Sequence, residues 1–435
     1  MDRNRLRRTA FFYSYIEGAF YAFMVGSAET YALIFAAKNG VSGSDFGILS
    51  TLPIVMGAFG AWLIPSLTSQ ERLKARILWA VGIQILGLIG ITLSVFLENF
   101  YYTLLTGLCL YWIGGMISGP LWIDWIAGWL PHYKFTSFNS RRNAFVTIMT
   151  LISYVSSSLI VMNDPGRNSF ILIFALASLF RVASLIMMSL QSSPVRYQLQ
   201  KESPAVLNSI LKAPRWVLAF IFIMIAFKFS AGYASPYFTP YMLNELHLKL
   251  QDYVWITAIP FLSRALFLHQ WSRSDFSFQP VAGLKICLFI IAGVAFLWSY
   301  FDSTNALILI EIVSGGAWAG FDLFTIVILQ RCFRNNSRPV IGLHIALMNL
   351  VALFAASIGG EVLQSNFSYT QLFHESASLR LTIAIVFLVA ANFFPQFSST
   401  KENYQNFLSS TLSLRPSMAL IGRLIPPSDR VKKKV

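Results

Sequence analysis

Twelve long apolar runs, separated by short polar or charged stretches, make up most of the chain. They fall at 9–37, 46–68, 77–97, 100–129, 143–162 and 169–190, then at 216–243, 252–271, 281–301, 304–331, 340–364 and 377–396. Each approaches or exceeds the ~18 residues a helix needs to cross about 30 Å of hydrocarbon. A transmembrane β-barrel would instead alternate over segments of about ten residues. The pattern therefore predicts an all-α membrane protein with twelve transmembrane helices. The polar stretch 191–215, with Pro194, Pro204 and Pro214, divides them six and six. The predicted units are a six-helix bundle at 1–190, a linker at 191–215, a second bundle at 216–397 and a polar tail at 398–435.

Composition agrees with this reading. Hydrophobic residues are 56% of the 435 and charged residues only 12%, about half the charged share of a soluble domain. The net charge of +14 sits in short clusters between apolar runs, not along a basic stripe, so no nucleic-acid partner is expected. The clusters set orientation instead. With the N-terminus inside, 25 lysines and arginines fall on the cytosolic side, against Lys38, Arg167, Lys249 and Arg380 outside. That asymmetry predicts cytosolic termini and a multi-pass protein of the inner (plasma) membrane. Cys109, Cys287 and Cys332 lie far apart and the five histidines are scattered, so neither metal nor cofactor is expected.

The halves repeat weakly. Ser27, Ala28 and Phe35 recur as Ser230, Ala231 and Phe238; Pro53 recurs as Pro260; Gly114, Gly115 and Gly119 recur as Gly315, Gly316 and Gly320. Two parallel six-helix repeats joined by a polar linker are the organisation of a transporter that rocks about a midplane site.

The stretch from Gly119-Pro-Leu-Trp122-Ile-Asp124-Trp125 through Leu130-Pro131 to Ser140-Arg141-Arg142-Asn143 resembles the major facilitator superfamily, in a bacterial branch with a Trp-rich helix end, an acidic residue and Arg-Arg-Asn. It departs from that branch in the middle, where Phe135-Thr-Ser137 replaces Arg-Gly-Arg. Glu71-Arg72 with Lys74 and Arg76 is a degenerate form of the superfamily's loop signature. The resemblance implies a cavity between helices 1, 4, 7 and 10, and makes Asp124, Arg141 and Arg142 candidate gating-loop residues.

Charges inside hydrocarbon are costly and are functional candidates by default. Lys228 lies twelve residues after Trp216, near the middle of helix 7, just before Tyr233-Ala-Ser-Pro236-Tyr-Phe-Thr-Pro240, whose prolines open the backbone. Lys228, Glu29, Glu311 and Asp322 are the candidates for solute binding or ion coupling, with Glu29 or Asp322 as the partner expected for Lys228. Glu17, Arg264 and Lys285 lie within reach of a membrane face, and Arg181 is assigned to a helix away from the cavity; these four read as structural. Trp122, Trp318, Tyr31, Tyr233 and Tyr237 are the aromatic candidates for the cavity wall, although core packing is the commoner role for any one of them. The tail is expected to be a flexible or surface-lying segment whose removal after Tyr404 leaves a folded core.

Three functions fit this pattern. The first is a secondary transporter of a small organic solute, driven by a proton or a substrate gradient and acting as a monomer among membrane lipids. The second is a receptor or assembly protein on the same fold, and the third a membrane-embedded transferase, for which no nucleophile or metal constellation appears. Reporter fusions at Asn99 and Asn366 are expected to read as external; a cytosolic reading at either would overturn the topology.

Overall fold

The computed structural model describes residues 3–63, 73–129, 132–164, 166–192, 210, 212–272, 279–333, 337–365, 367–394 and 401–412. Among these residues the regular structure is helical. The N-terminal half comprises α1 (Arg3–Lys38), α2 (Gly43–Leu63), α3 (Leu73–Ser94), α4 (Tyr101–Ala127), α5 (His132–Asn163) and α6 (Arg167–Leu190). The C-terminal half comprises α7 (Arg215–Gly232), α8 (Leu250–Ser272), α9 (Pro280–Leu297), α10 (Thr304–Cys332), α11 (Ser337–Gln364) and α12 (Tyr369–Ala390), followed by a short α13 (Lys401–Leu412). Eleven of the described helices are long and apolar enough to cross a membrane. The remaining long helix, α8, carries Asp252 and Arg264 within its 23 residues.

Packing within each half follows one scheme. In the N-terminal half α1 lies against α5 and α6, α4 against α2 and α3, and α3 against α6; in the C-terminal half α7 lies against α11 and α12, α10 against α8 and α9, and α9 against α12. Each of these pairs in one half has its counterpart in the other, so the weak sequence repeat has a structural equivalent. Gly114 and Gly315 serve this packing: a Cβ on Gly114 would strike the Ala80 carbonyl of α3, and one on Gly315 the Pro260 carbonyl of α8. Gly119 has open space instead.

The halves meet through α2 against α11 and α5 against α8. We call the end at which α1 begins and α12 finishes proximal, and the opposite end distal. Among the described residues, the hydrogen bonds between halves are distal: Tyr154 of α5 with Thr257 of α8, and Gln364 of α11 to Ser44 of α2. Gly360 lets α11 approach the backbone of Ser44, and Gly47 lets α2 approach the Ala356 carbonyl and the Tyr237 hydroxyl. A side chain at either position would push the distal ends apart.

Beyond Gly232, α7 loses its regular ladder. It continues as a 3₁₀ turn (Ser235–Tyr237), a short α segment (Phe238–Pro240) and a π turn (Tyr241–Glu245). Pro236 and Pro240 each remove a backbone donor here, which accounts for the change of pitch. The broken segment is anchored by aromatic contacts, with Phe238 stacked on Phe373 at 4.3 Å and edge-on to Trp298 at 4.9 Å.

Three expectations are corrected. The predicted loop before residue 143 is helical from His132, so Arg141 and Arg142 belong to α5. Helix α12 starts at Tyr369, where a capping box between Ser368 and Gln371 satisfies the first amides. Arg380, expected at an outer helix end, therefore lies at mid-helix and is buried. Finally, part of the tail is core. Phe407 of α13 is 3% exposed and packs between Trp271 and Phe324, while Trp271 Nε1 donates to Thr411 at 3.0 Å. Residues beyond 412 lie outside the described part.

Deleting a buried phenyl ring typically costs about 3–5 kcal/mol. Phe407→Ala, and truncation after Tyr404, should each lower the Tm of the purified protein by several degrees. An unchanged Tm would show that α13 does not brace the bundle.

Candidate functional site

Two groups of charges lie inside the helix bundles, one buried and one lining a cavity, and they differ in how completely their charge is satisfied. The first is in the N-terminal half. Glu17 of α1 is 2% exposed and accepts from Arg142 of α5 at 2.6 Å, with Arg181 of α6 at 3.8 Å. Ser184 completes the cluster, accepting from Arg181 at 2.8 Å and donating to Glu17 at 3.1 Å. The Arg142 guanidinium also donates to the Ser14 carbonyl and lies 3.9 Å from the centre of the Trp122 ring. Three helices are thus tied by charge, and the fourth, α4, by a cation–π contact.

Here the sequence reading misjudged several residues. Glu17 and Arg181 are not snorkelling or peripheral charges but the centre of this cluster. Arg142 is held deep in it, whereas Arg141 is exposed. Trp122 lies beneath Arg142, away from the cavity described next. The side chain of Asp124 lies outside the described part. Position alone hid the cluster: Glu17, Arg142 and Arg181 are far apart in sequence, and only the packing of α1 against α5 and α6 unites them.

The second group lines a cavity of about 630 Å³ between the halves. Its walls include Glu29 and Leu33 of α1, Ser50 of α2, Trp112 of α4, Lys228 of α7, Arg264 of α8, Trp298 just after α9, Glu311, Trp318 and Asp322 of α10, and Arg380 of α12. Candidates from both halves therefore share one space. Distally, Glu29 accepts from the Tyr111 hydroxyl at 2.6 Å, and Glu311 accepts from Trp298 Nε1 at 2.8 Å. At mid-depth the Lys228 ammonium lies 5.2 Å from the centre of the Trp318 ring. The most proximal lining charges are Arg264 and Asp322, paired at 2.6 Å with side chains 43% exposed.

The expected partner of Lys228 is otherwise engaged. Asp322 acts on Lys228 electrostatically, but its carboxylate is bonded to Arg264, and among the described residues no carboxylate lies within 4.0 Å of the ammonium. The three candidate tyrosines do not line the cavity. Tyr31 donates to the Tyr154 carbonyl at 2.8 Å, Tyr233 donates to Glu375 at 2.7 Å, and Tyr237 donates to the Ala356 carbonyl. They are packing residues of the distal closure and of the helix contacts beside it. Arg264 and Arg380 are the cavity charges that sequence reasoning missed.

Two helical bundles of matching internal packing, with a charged cavity between them, define the class: a polytopic membrane protein of two pseudo-symmetric halves. The fold is that of the major facilitator superfamily. No family model and no curated protein matches the sequence, but solved structures match the fold over most of its length. A point mutant of the nucleoside transporter NupG superimposes with a TM-score of 0.70 at 14% identity, covering 88% of this chain and 99% of that one. The xylose transporter XylE from E. coli, in a partially occluded inward-open conformation, gives 0.61 at 12% identity, covering 89% and 97%. A point mutant of the E. coli fucose:proton symporter FucP gives 0.55 at 14% identity, covering 87% and 98%.

Removing one member of a buried charge pair leaves the other uncompensated, at about 3–5 kcal/mol. Glu17→Ala should therefore sharply reduce the yield of folded protein or its Tm, while Arg141→Ala, at an exposed position of the same helix as Arg142, should change neither. Equal behaviour of the two variants in thermal unfolding would dissolve the cluster as a structural element.

Proposed function

We propose that this chain is a secondary active transporter that moves a small organic solute across the inner membrane by alternating access, with Lys228 at the binding site. The observation that carries this reading is the central cavity, walled by both halves and containing ionisable groups at three depths. Its volume is within the range of pockets that take small organic ligands, about 300–1,000 Å³. The halves are joined distally, and the most proximal lining pair, Arg264–Asp322, is the partly exposed one. With cytosolic termini, this is a site open to the inside and shut to the outside. The fold neighbours are named as nucleoside, xylose and fucose transporters, which supports transport without indicating which solute this chain carries.

Proton coupling is the second element of the proposal. FucP is named a proton symporter, and Glu29 and Glu311 are suited to such a role. Each is bonded at Oε1 by a neutral donor, Tyr111 or Trp298, so neither is committed to a cation and either can gain or lose a proton without breaking an ion pair. Lys228 then stands between the two carboxylates and the proximal ion pair, where solute and proton sites can influence each other.

Purified protein in liposomes, screened for solute uptake with and without an imposed proton gradient, tests the proposal. Lys228→Ala should reduce uptake at least about tenfold, an effect of ~1.4 kcal/mol on the transport barrier, and Lys38→Ala should leave it intact. Lys228→Arg should fail as well, since a planar guanidinium does not replace a compact ammonium. Uptake by Lys228→Ala at the wild-type rate would remove Lys228 from the site.

A further inference from the structure

The sixth helix of each half carries one deeply buried arginine, and the two are treated differently. Arg181 of α6 faces Glu17, its own carboxylate. Arg380 of α12, 199 residues on, has no carboxylate partner among the described residues. It is 3% exposed and lines the cavity; its guanidinium donates to the carbonyls of Ala231 and Ile291 at 3.3 and 3.4 Å, and its Nε is unpaired among the described residues. Two long bonds to neutral carbonyls leave the cation's charge uncompensated.

Lys228, partly exposed on the cavity wall, likewise has no carboxylate within 4.0 Å of its ammonium among the described residues. Asp322, Arg380 and Arg264 act on it electrostatically, so one carboxylate stands against three cations, and that carboxylate is already bonded to Arg264. Glu29 and Glu311 belong to the distal part of the cavity and are satisfied by Tyr111 and Trp298. A cation in a low-dielectric site without a counter-charge is expensive. The N-terminal half shows that this chain neutralises a buried arginine with a carboxylate of its own where the arginine's role is structural.

We infer that the missing counter-charge is supplied by the solute: the cavity binds an organic anion, whose carboxylate or phosphate group sits between Lys228 and Arg380. This deepens the transport reading and rests on it for the crossing, though not for the binding. The guanidinium supplies directional donors suited to a planar carboxylate or a phosphate, and the ammonium a mobile point charge. Trp318, Phe238 and Trp112, which line the same cavity, offer flat apolar surface to the organic remainder. An anion at this position would also compete with Asp322 for the cations, so its arrival changes the balance of the proximal Arg264–Asp322 pair.

The potential of the cavity can be read without knowing the solute. In the full chain with Cys109, Cys287 and Cys332 replaced by Ser, Ser235→Cys places a thiol on the cavity wall, distal to Lys228 on the same segment. Its reaction rates with a sulfonate-bearing and a trimethylammonium-bearing methanethiosulfonate are compared with those of a free thiol in solution. The anionic reagent should be favoured at least about threefold over the free-thiol ratio. Lys228→Met and Arg380→Gln should each remove that preference, and Arg380→Lys should retain it. A ratio equal to that of the free thiol, a preference for the cationic reagent, or a preference unchanged in Lys228→Met would overturn the inference. Should Arg380→Gln fail to fold, Lys228→Met decides. Loss of liposome uptake with the anion preference intact would count against the transport reading and leave this one standing.

Discussion

Charge inside hydrocarbon must find an opposite charge, a ring of hydrogen-bond donors or water, and the interior of this molecule is arranged around that constraint. Around Glu17 it is met internally: one carboxylate takes two arginines, a serine closes the ring, and a tryptophan face covers the guanidinium of Arg142. In the cavity it is met in part. Glu29 and Glu311 have neutral donors, Arg264 has Asp322, and Lys228 and Arg380 are left with an aromatic ring and two backbone carbonyls. The cluster around Glu17 is closed on itself, whereas Lys228 and Arg380 keep charge that no carboxylate among the described residues pairs within 4.0 Å.

The arrangement of contacts between the halves gives the cavity a direction. Distally, Gly47 and Gly360 allow α2 and α11 to pack backbone against backbone, and the broken continuation of α7 is wedged by Phe238 against Phe373 and Trp298. The described hydrogen bonds between halves are also distal. The most proximal ionic pair of the cavity is half exposed and joins two helices of the same half. One end is held by close packing, and the other is lined by charges able to exchange partners.

Much of the fold was legible because membrane crossing imposes a length and a composition on each helix, and both are local properties of the sequence. The glycine and proline repeats even marked which helices correspond between halves. The charged lining of the cavity was legible only where it depended on depth in one helix, as for Lys228, Glu29, Glu311 and Asp322. It was hidden where it depended on packing between distant helices or on where a helix starts. Arg380 was misplaced because a two-residue capping box lengthens α12 by more than a turn at its beginning. Phe407 was missed because a short polar helix with one deep phenylalanine has no apolar run to reveal it. The tyrosines were over-read because a phenol bonded to a carbonyl and one facing a solute look alike in sequence.

The Glu17 cluster carries a mechanical consequence. It fastens α1, α5 and α6 to one another, with α4 held through Trp122, by contacts whose separation would strand charge in an apolar medium. Such a unit resists internal shear. The C-terminal half has no equivalent lock among its described residues: its first and last helices, α7 and α12, meet through stacked rings, the Tyr233–Glu375 bond and the long bonds of Arg380, and α7 is itself in pieces. Stiffness is thus distributed unevenly between two bundles of the same plan. The N-terminal half is the stiffer arm, and the half that holds Lys228 and Arg380 is the one with the looser internal ties.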